Sequence, residues 1–306
     1  MVTALQYGVS LDVRDSLLLP SFERHLRAEN KSPATIDTYS GAVSMFGTFL
    51  SEKGMPTEPA HIKREHIESF IERLLAQWKP ATANNRYRGL QAWFKWLTDE
   101  GEIKDNPMIR MKPPTIPPTP PDVLTEQDLA ALFKAVAGQS FEDRRDAAML
   151  RLLLDTGMRR GELAGITVED IDLDAGRVTV TGKGKRTRTV SFGKRTAVAL
   201  DRYNRMRQQH RHKESPQYWL GLHGPIRGDG VRQIVEKRAR QAGIKAYAHL
   251  FRHTNAHLWL KFEGSEVGLM AHMGWNSRTM LQRYGASKLQ ERAIEEHKRL
   301  GVGDRF

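Results

Sequence analysis

Four short stretches in the second half of the chain carry the side chains best suited to chemistry: DTGMRRGELAGI, TGKGKRTRTV, AHLFRHTNAH and HMGWNSRTMLQRYG. Arginine stays charged at neutral pH and presents a planar fork of donors that fits two oxygens of a phosphate. A tyrosine hydroxyl, with an ordinary pKa of about 10, needs help losing its proton before it can act as a nucleophile. Histidine is the usual general base. Each of these residue types also has a plain structural reading. A tyrosine packs on a helix surface, a hairpin-tip lysine is solvated, and a tryptophan fills a core. His249, His253 and His257 recur every four residues. A metal would want a further carboxylate or histidine close by, and the HExxH pattern is absent, so no metal site is expected.

Taken in order and at these separations, the four stretches resemble the catalytic domain of the tyrosine recombinases, the phage-integrase family. The resemblance implies roles residue by residue. Arg159 becomes the first catalytic arginine, with Arg160 its neighbour and rival, and Glu162 a buried residue that orients it. Lys183, in Gly-Lys-Gly-Lys, becomes the hairpin lysine that protonates a departing 5′-oxygen; Lys185 sits two residues on in the same loop. His249 and Arg252 occupy the family's His-x-x-Arg element, with His249 as general base. Trp275 stands where most members have histidine and some tryptophan; its indole N–H can donate a hydrogen bond to a phosphate oxygen but cannot transfer a proton. Tyr284, nine residues further on, becomes the nucleophile. The implied reaction cleaves DNA through a 3′-phosphotyrosine link and rejoins it without metal or nucleotide cofactor. Because the link stores the bond energy, no ATP is needed.

These residues must be held by elements that the pattern also outlines, and the fold class they predict is mainly α with a small β-hairpin insert. Ser32 suits an N-cap and Pro33 the first helical position. Ile36, Tyr39, Val43, Phe46, Phe49 and Leu50 then follow at mostly three- and four-residue steps, with Gly54 as the stop. A second helix is predicted over 64–77, with Ile67, Phe70, Ile71, Leu74 and Leu75 inward, and a third over 81–100 with a basic start (Arg86, Arg88) and an aromatic end. Six prolines within 113–121 favour an extended spacer. Beyond it, Thr125 opens a helix, RDAAMLRLLLDTG reads as a buried helix ending at Gly157, and RVTVTGKGKRTRTVSFG reads as a hairpin. Further helices are expected over 194–212, 229–241, 252–262, 265–273, 278–284 and 288–300.

The expected layout is an N-terminal tail over 1–13, a helical core-binding domain over 14–110, a linker over 111–121 and a catalytic domain over 122–306. The resemblance implies a two-domain clamp around duplex DNA and a homotetramer at the recombination site. The last helix, 287–306, has an apolar stripe at Leu289, Ala293 and Ile294 that docks on a neighbouring protomer or in cis. With so short a tail, the enzyme is expected to act at its crossover site alone, as a compact integrase of a phage or other mobile element, with a small excision-promoting partner. Trp275 and the Arg283 and Gly285 that flank Tyr284 point away from a chromosome-resolving recombinase. The rivals are a type IB topoisomerase, which shares the chemistry, and a non-catalytic DNA-binding architectural protein.

Bulk properties agree with a polyanion partner. The formal charge is +12 over 306 residues, which gives a long-range field attracting nucleic acid. Arg86, Arg88, Lys185, Arg232, Lys237, Arg238 and Arg240 are the expected phosphate contacts, which supply affinity without sequence information. The chain has no cysteine, excluding disulfides and thiolate metal sites. It has no apolar run of membrane-spanning length and no secretory signal pattern, so a cytoplasmic, DNA-associated protein is expected.

Overall fold

In the computed structural model the chain divides into two compact units, Met1–Pro118 and Thr119–Phe306. The structure describes residues 13–117, 121–182, 187–281, 294 and 297–305.

The first unit is built from α1 (Val13–Ala28), α2 (Pro33–Glu52), α3 (Arg64–Gln77) and α4 (Pro80–Asp99). Ser32 caps α2 by accepting the Thr35 amide, Pro33 opens it, and the chain turns away at Gly54 with φ +62°. Helices α2 and α4 cross at a point where only glycine fits. A Cβ on Gly89 would lie 2.8 Å from the Ala42 Cβ and 3.3 Å from the Tyr39 Cα. Around that crossing Phe46, Phe70, Leu90 and Phe94 are buried, and Phe22 packs edge-on to Trp93 at 5.1 Å. The expected inward face of α3 holds at Ile67, Phe70, Ile71 and Leu74, but Leu75 is 43% exposed. It lies about 100° around the helix from Leu74, past the edge of the buried stripe. Helix α4 also holds the chain that leaves it: the Tyr87 hydroxyl donates to the Met111 carbonyl and the Asn84 amide to that of Pro114.

The second unit comprises α5 (Glu126–Ala135), α6 (Phe141–Thr156), α7 (Arg160–Gly165), β1 (Ile171–Asp172), β2 (Arg177–Thr181), β3 (Thr187–Ser191), α8 (Lys194–Arg207), β4 (Leu220–Gly221), β5 (Gly224–Pro225), α9 (Gly228–Gln241), α10 (Ala248–Lys261) and α11 (Glu266–Met273). Thr125 opens α5 as the sequence predicts, and Thr125 and Asp128 cap it reciprocally. Helix α6 is central, its Leu150, Leu152 and Leu153 fully buried. Strands β1, β2 and β3 form an antiparallel sheet in which Val178 pairs with Val190 and Val180 with Arg188. The fold is therefore mainly α with small antiparallel sheets.

Two helix boundaries differ from expectation by four residues or more. Helix α8 stops at Arg207 instead of 212, and α10 starts at Ala248 instead of 252. The start of α10 carries no sequence signal, because Tyr247 at its N-cap makes no side-chain cap. The earlier start places His249 and Arg252 three residues apart on one helical face.

Candidate active site

Two helices end on one buried cation. Helix α6 terminates at Gly157 and α11 at Gly274, both left-handed, with φ +56° and +64°. Arg252, projecting from α10 and 2% exposed, donates Nη1–H to the Gly157 carbonyl and Nη2–H to the Met273 carbonyl, each at 2.7 Å. The unpaired carbonyls of a helix C-terminus carry partial negative charge, so one guanidinium satisfies both ends at once. Its neighbour Asn255 donates to the Leu154 and Asp155 carbonyls, completing the cap of α6. A side chain at Gly157 would be strained by the φ of +56°, and its Cβ would press on the Met273 Cε at 2.6 Å. The Arg252 guanidinium also lies over the Trp275 ring, 5.5 Å from its centroid. Trp275 is buried, so its indole packs as well as faces the cation.

Arg159 stands directly past the α6 turn, as the N-cap of α7, with an extended backbone. Its amide and its guanidinium both donate to Glu162, at 2.8 Å each. Half of its side chain is exposed, whereas Glu162 is 3% exposed. Glu162 receives a second arginine that sequence reasoning missed. Arg188, on β3, grips both carboxylate oxygens at 3.0 and 2.9 Å and donates Nε–H to the His272 carbonyl at 3.1 Å. The carboxylate thus fixes the exposed arginine to the hairpin strand, and Arg188 ties that strand to the end of α11. The signal for Arg188 was present in the strand's alternation: it shares the inward phase with Val190, where a charge demands a buried partner.

His249, one turn before the end of this network, reaches solvent. Partial burial of its ring, then the charges of Arg252 and Arg159, hold its pKa below the ordinary imidazole range. A lowered pKa favours the neutral imidazole, the form that accepts a proton. Its ring stands edge-on to that of His253 at 4.5 Å. Among the described residues no cluster of three or more histidines, aspartates or glutamates is arranged to hold a metal. The site thus sets one half-exposed guanidinium, Arg159, and one buried guanidinium, Arg252, near the exposed His249.

Comparison with known proteins decides the family. The "Phage integrase family" model matches residues 122–291 and the "Phage integrase, N-terminal SAM-like domain" model matches residues 18–102. The chain belongs to the phage integrase family of tyrosine recombinases. It is 31% identical over 266 residues to tyrosine recombinase XerC of Thermodesulfovibrio yellowstonii, covering 83% of this chain and 86% of that one. It is 26% identical to XerC of Oceanobacillus iheyensis, covering 92% and 96%. In fold it is similar to XerH recombinase bound to palindromic difH substrate, a post-cleavage complex, with a TM-score of 0.72 at 18% identity over 91% of this chain and 84% of that one. It is likewise similar to the Tn1549 transposon integrase in complex with transposon right end DNA, with a TM-score of 0.71 at 17% identity over 93% and 99%. Both of these relatives carry the XerC name, although Trp275 suggested a mobile-element integrase.

Of the residues singled out in this recombinase from sequence, the structure pairs Arg159 with Glu162 and Arg252 with Trp275, and sets His249 within the field of both arginines. Lys183, Lys185 and Tyr284 lie outside the described residues. Arg86, half-buried, donates to the Thr38 carbonyl in the first unit, and Arg88 is exposed there. On α9, Arg232, Lys237 and Arg240 are exposed, with Arg232 near Glu236 at 3.2 Å and Lys237 near Glu142 at 3.2 Å. Arg238 requires correction as a phosphate contact. It is 5% exposed and bonded to Asp146 at 2.7 Å and Asp143 at 2.9 Å. Arg145 completes that buried network on Asp146. No described helix is long and apolar enough to cross a membrane.

The Glu162 network makes a testable demand on acid stability. Burial pushes the carboxyl up, but hydrogen bonds from Arg188 and the Arg159 amide, with the Arg188 charge and the Arg159 guanidinium, outweigh it and bring the pKa from 4.5 to about 2. A depressed folded pKa means stability that is present above the unfolded value and is lost as pH falls from about 4.5 towards about 2. The shift corresponds to roughly 3 kcal/mol at most. In urea titrations between pH 5 and pH 2, Glu162→Gln is expected to lose stability less steeply than the parent. Identical slopes would show that the carboxylate is not held ionised in this network.

Proposed function

We propose that this recombinase cuts and rejoins duplex DNA at a specific site through a covalent 3′-phosphotyrosine link on Tyr284. The observation that carries the reading is Arg252, one helical turn after His249, bonded to the Gly157 carbonyl two residues before Arg159. Attack by a phenolate on a phosphodiester places extra negative charge on the equatorial oxygens of five-coordinate phosphorus. Arg159 and Arg252 hold those oxygens, the preorganised electrostatic role that lowers such barriers most. His249 takes the Tyr284 proton. The bond from tyrosine oxygen to phosphorus forms as the bond from phosphorus to the 5′-oxygen breaks, and Lys183, or Lys185 beside it, protonates the leaving oxygen. Ligation reverses these steps with a new 5′-hydroxyl. Trp275 supports the guanidinium by position. Glu162 holds Arg159, and Arg188 holds Glu162.

The partner is duplex DNA, with Arg86, Arg88, Lys185, Arg232, Lys237 and Arg240 on phosphates. The net charge of +12 supports this, as do the structural neighbours solved bound to difH substrate and to transposon right end DNA. Strand exchange between two duplexes calls for four protomers, linked through the last helix, with integration of a phage or other mobile element as the biological outcome and a small excision-promoting partner. Deleting residues 287–306 is expected to abolish tetrameric synapsis in sedimentation experiments while sparing monomer binding to DNA; intact synapsis would remove the helix-exchange idea. A nicked suicide duplex carrying the cognate site tests the chemistry itself. It is expected to trap a protein–DNA adduct joined through a 3′-phosphate. Efficient relaxation of supercoiled DNA lacking any cognate site would favour a topoisomerase instead.

A further inference from the structure

Helices α5, α6 and α8 enclose a surface groove with two adjoining volumes of about 460 and 640 Å³ that share Phe133, Arg151, Lys194 and Arg195. The first volume is also lined by Arg144 and Arg202. These five cations make no ion pair among the described residues, although the same unit pairs many of its other arginines. Two carboxylates reach the second volume and both are engaged. Glu126 is held by Lys261 at 2.9 Å, and Asp155 accepts the Gly193 amide at 2.8 Å.

Arg151 is the centre of the arrangement. Its guanidinium lies over the Phe133 ring, 4.3 Å from the centroid, which fixes its plane. Burial and the like charge of Arg195, with Arg202 adding and Asp155 opposing, hold it below the ordinary arginine value. Helix α8 compounds the imbalance. Its first turn holds Lys194 and Arg195 and no acidic residue, where the helix dipole favours anions. A half-buried cation, crowded by like charges at a positive helix end, is a costly arrangement that a bound anion relieves.

We propose that this groove is a binding site for phosphate groups, separate from the Arg159–Arg252 centre. Four of the five cations are arginines, whose planar forks suit phosphate oxygens. Five converging charges match a ligand carrying several phosphates better than a single carboxylate. Two sources supply that chemistry, a DNA backbone beyond the cleavage site and a free polyphosphate. The DNA source rests on the recombinase reading above; the free source does not.

The test uses the full chain and the double variant Arg195→Glu/Arg202→Glu. Both positions are exposed, and neither belongs to the proposed catalytic machinery. A control variant, Lys53→Glu/Lys245→Glu, makes the same charge change at exposed positions elsewhere. Thermal unfolding is followed in sodium pyrophosphate and in sodium chloride at matched ionic strength. Pyrophosphate is expected to raise the parent and control Tm by about 4 °C or more over chloride, and the groove variant should lose that gain. Affinity for a duplex without a recombination site is then measured against salt concentration. A slope reduced by roughly 2 in the groove variant assigns the site to DNA backbone. An unchanged slope with a lost Tm gain assigns it to free phosphate. Absence of a gain in the parent, an equal gain in the groove variant, or an equal loss in the control overturns the proposal, whatever the adduct assay shows.

Discussion

Tyr284→Phe is expected to eliminate the covalent protein–DNA adduct on a nicked suicide duplex while leaving duplex affinity within about twofold of the parent. The substitution removes one oxygen and keeps the ring. Affinity comes from phosphate contacts spread over the surface, so binding persists while the nucleophile is gone. The other tyrosines sharpen the test. Tyr203 is buried with its pKa raised to about 12 by desolvation, its hydroxyl bonded to the Tyr218 carbonyl and the Leu220 amide. Tyr218 is pushed up by burial further still. Tyr87 is buried and bonded in the first unit. Tyr247 is the serious rival, because it is 44% exposed and stands two residues before His249. Tyr247→Phe is therefore expected to form adduct at the parent rate. An adduct that survives Tyr284→Phe and vanishes in Tyr247→Phe would move the nucleophile to α10.

What the sequence made legible was local. Ser32 and Pro33 announce α2, and Gly157 announces the end of α6, because a cap or a left-handed turn is decided within a few residues. The pairing of Arg159 with Glu162 was readable for the same reason, since three residues separate them. Arg188 was not, because its partner Glu162 lies 26 residues away and only the folded hairpin joins them. Arg238 failed in the opposite direction. Basic residues crowd the second half of α9, and a basic helix face resembles a DNA-facing one. Yet Val231, Val235 and Ala239 are buried, and the i, i+4, i+7 rule puts Arg238 on that same stripe. Its acids, Asp143 and Asp146, sit on a helix 95 and 92 residues earlier. Reading the stripe before the charge would have placed it inside. The α10 start was hidden for a further reason: Tyr247 gives no cap, so tertiary packing alone begins that helix.

Arg252→Lys is expected to slow strand cleavage by about 10²–10³-fold with duplex affinity little changed, although the charge is conserved. The Arg252 fork spans two carbonyls from different helices, at 2.7 Å each, with Trp275 beneath it. A lysine ammonium is a compact point charge and cannot bridge both carbonyls in one plane. One carbonyl is left unpaired and buried, at a cost of about 1–3 kcal/mol in stability. Slow cleavage could therefore reflect a loosened fold instead of a lost contact to the reacting phosphate. Asn255→Ala separates these two causes. Asn255 caps the same end of α6, through the Leu154 and Asp155 carbonyls, and its loss should lower the denaturant midpoint comparably. If Arg252 acts on the phosphate, Asn255→Ala cleaves within about tenfold of the parent in single-turnover assays at a temperature where both variants stay folded, whereas Arg252→Lys does not. Equal losses in the two variants would reduce Arg252 to a strut between helix ends. Arg159 would then be left as the only guanidinium of the pair acting on the phosphate.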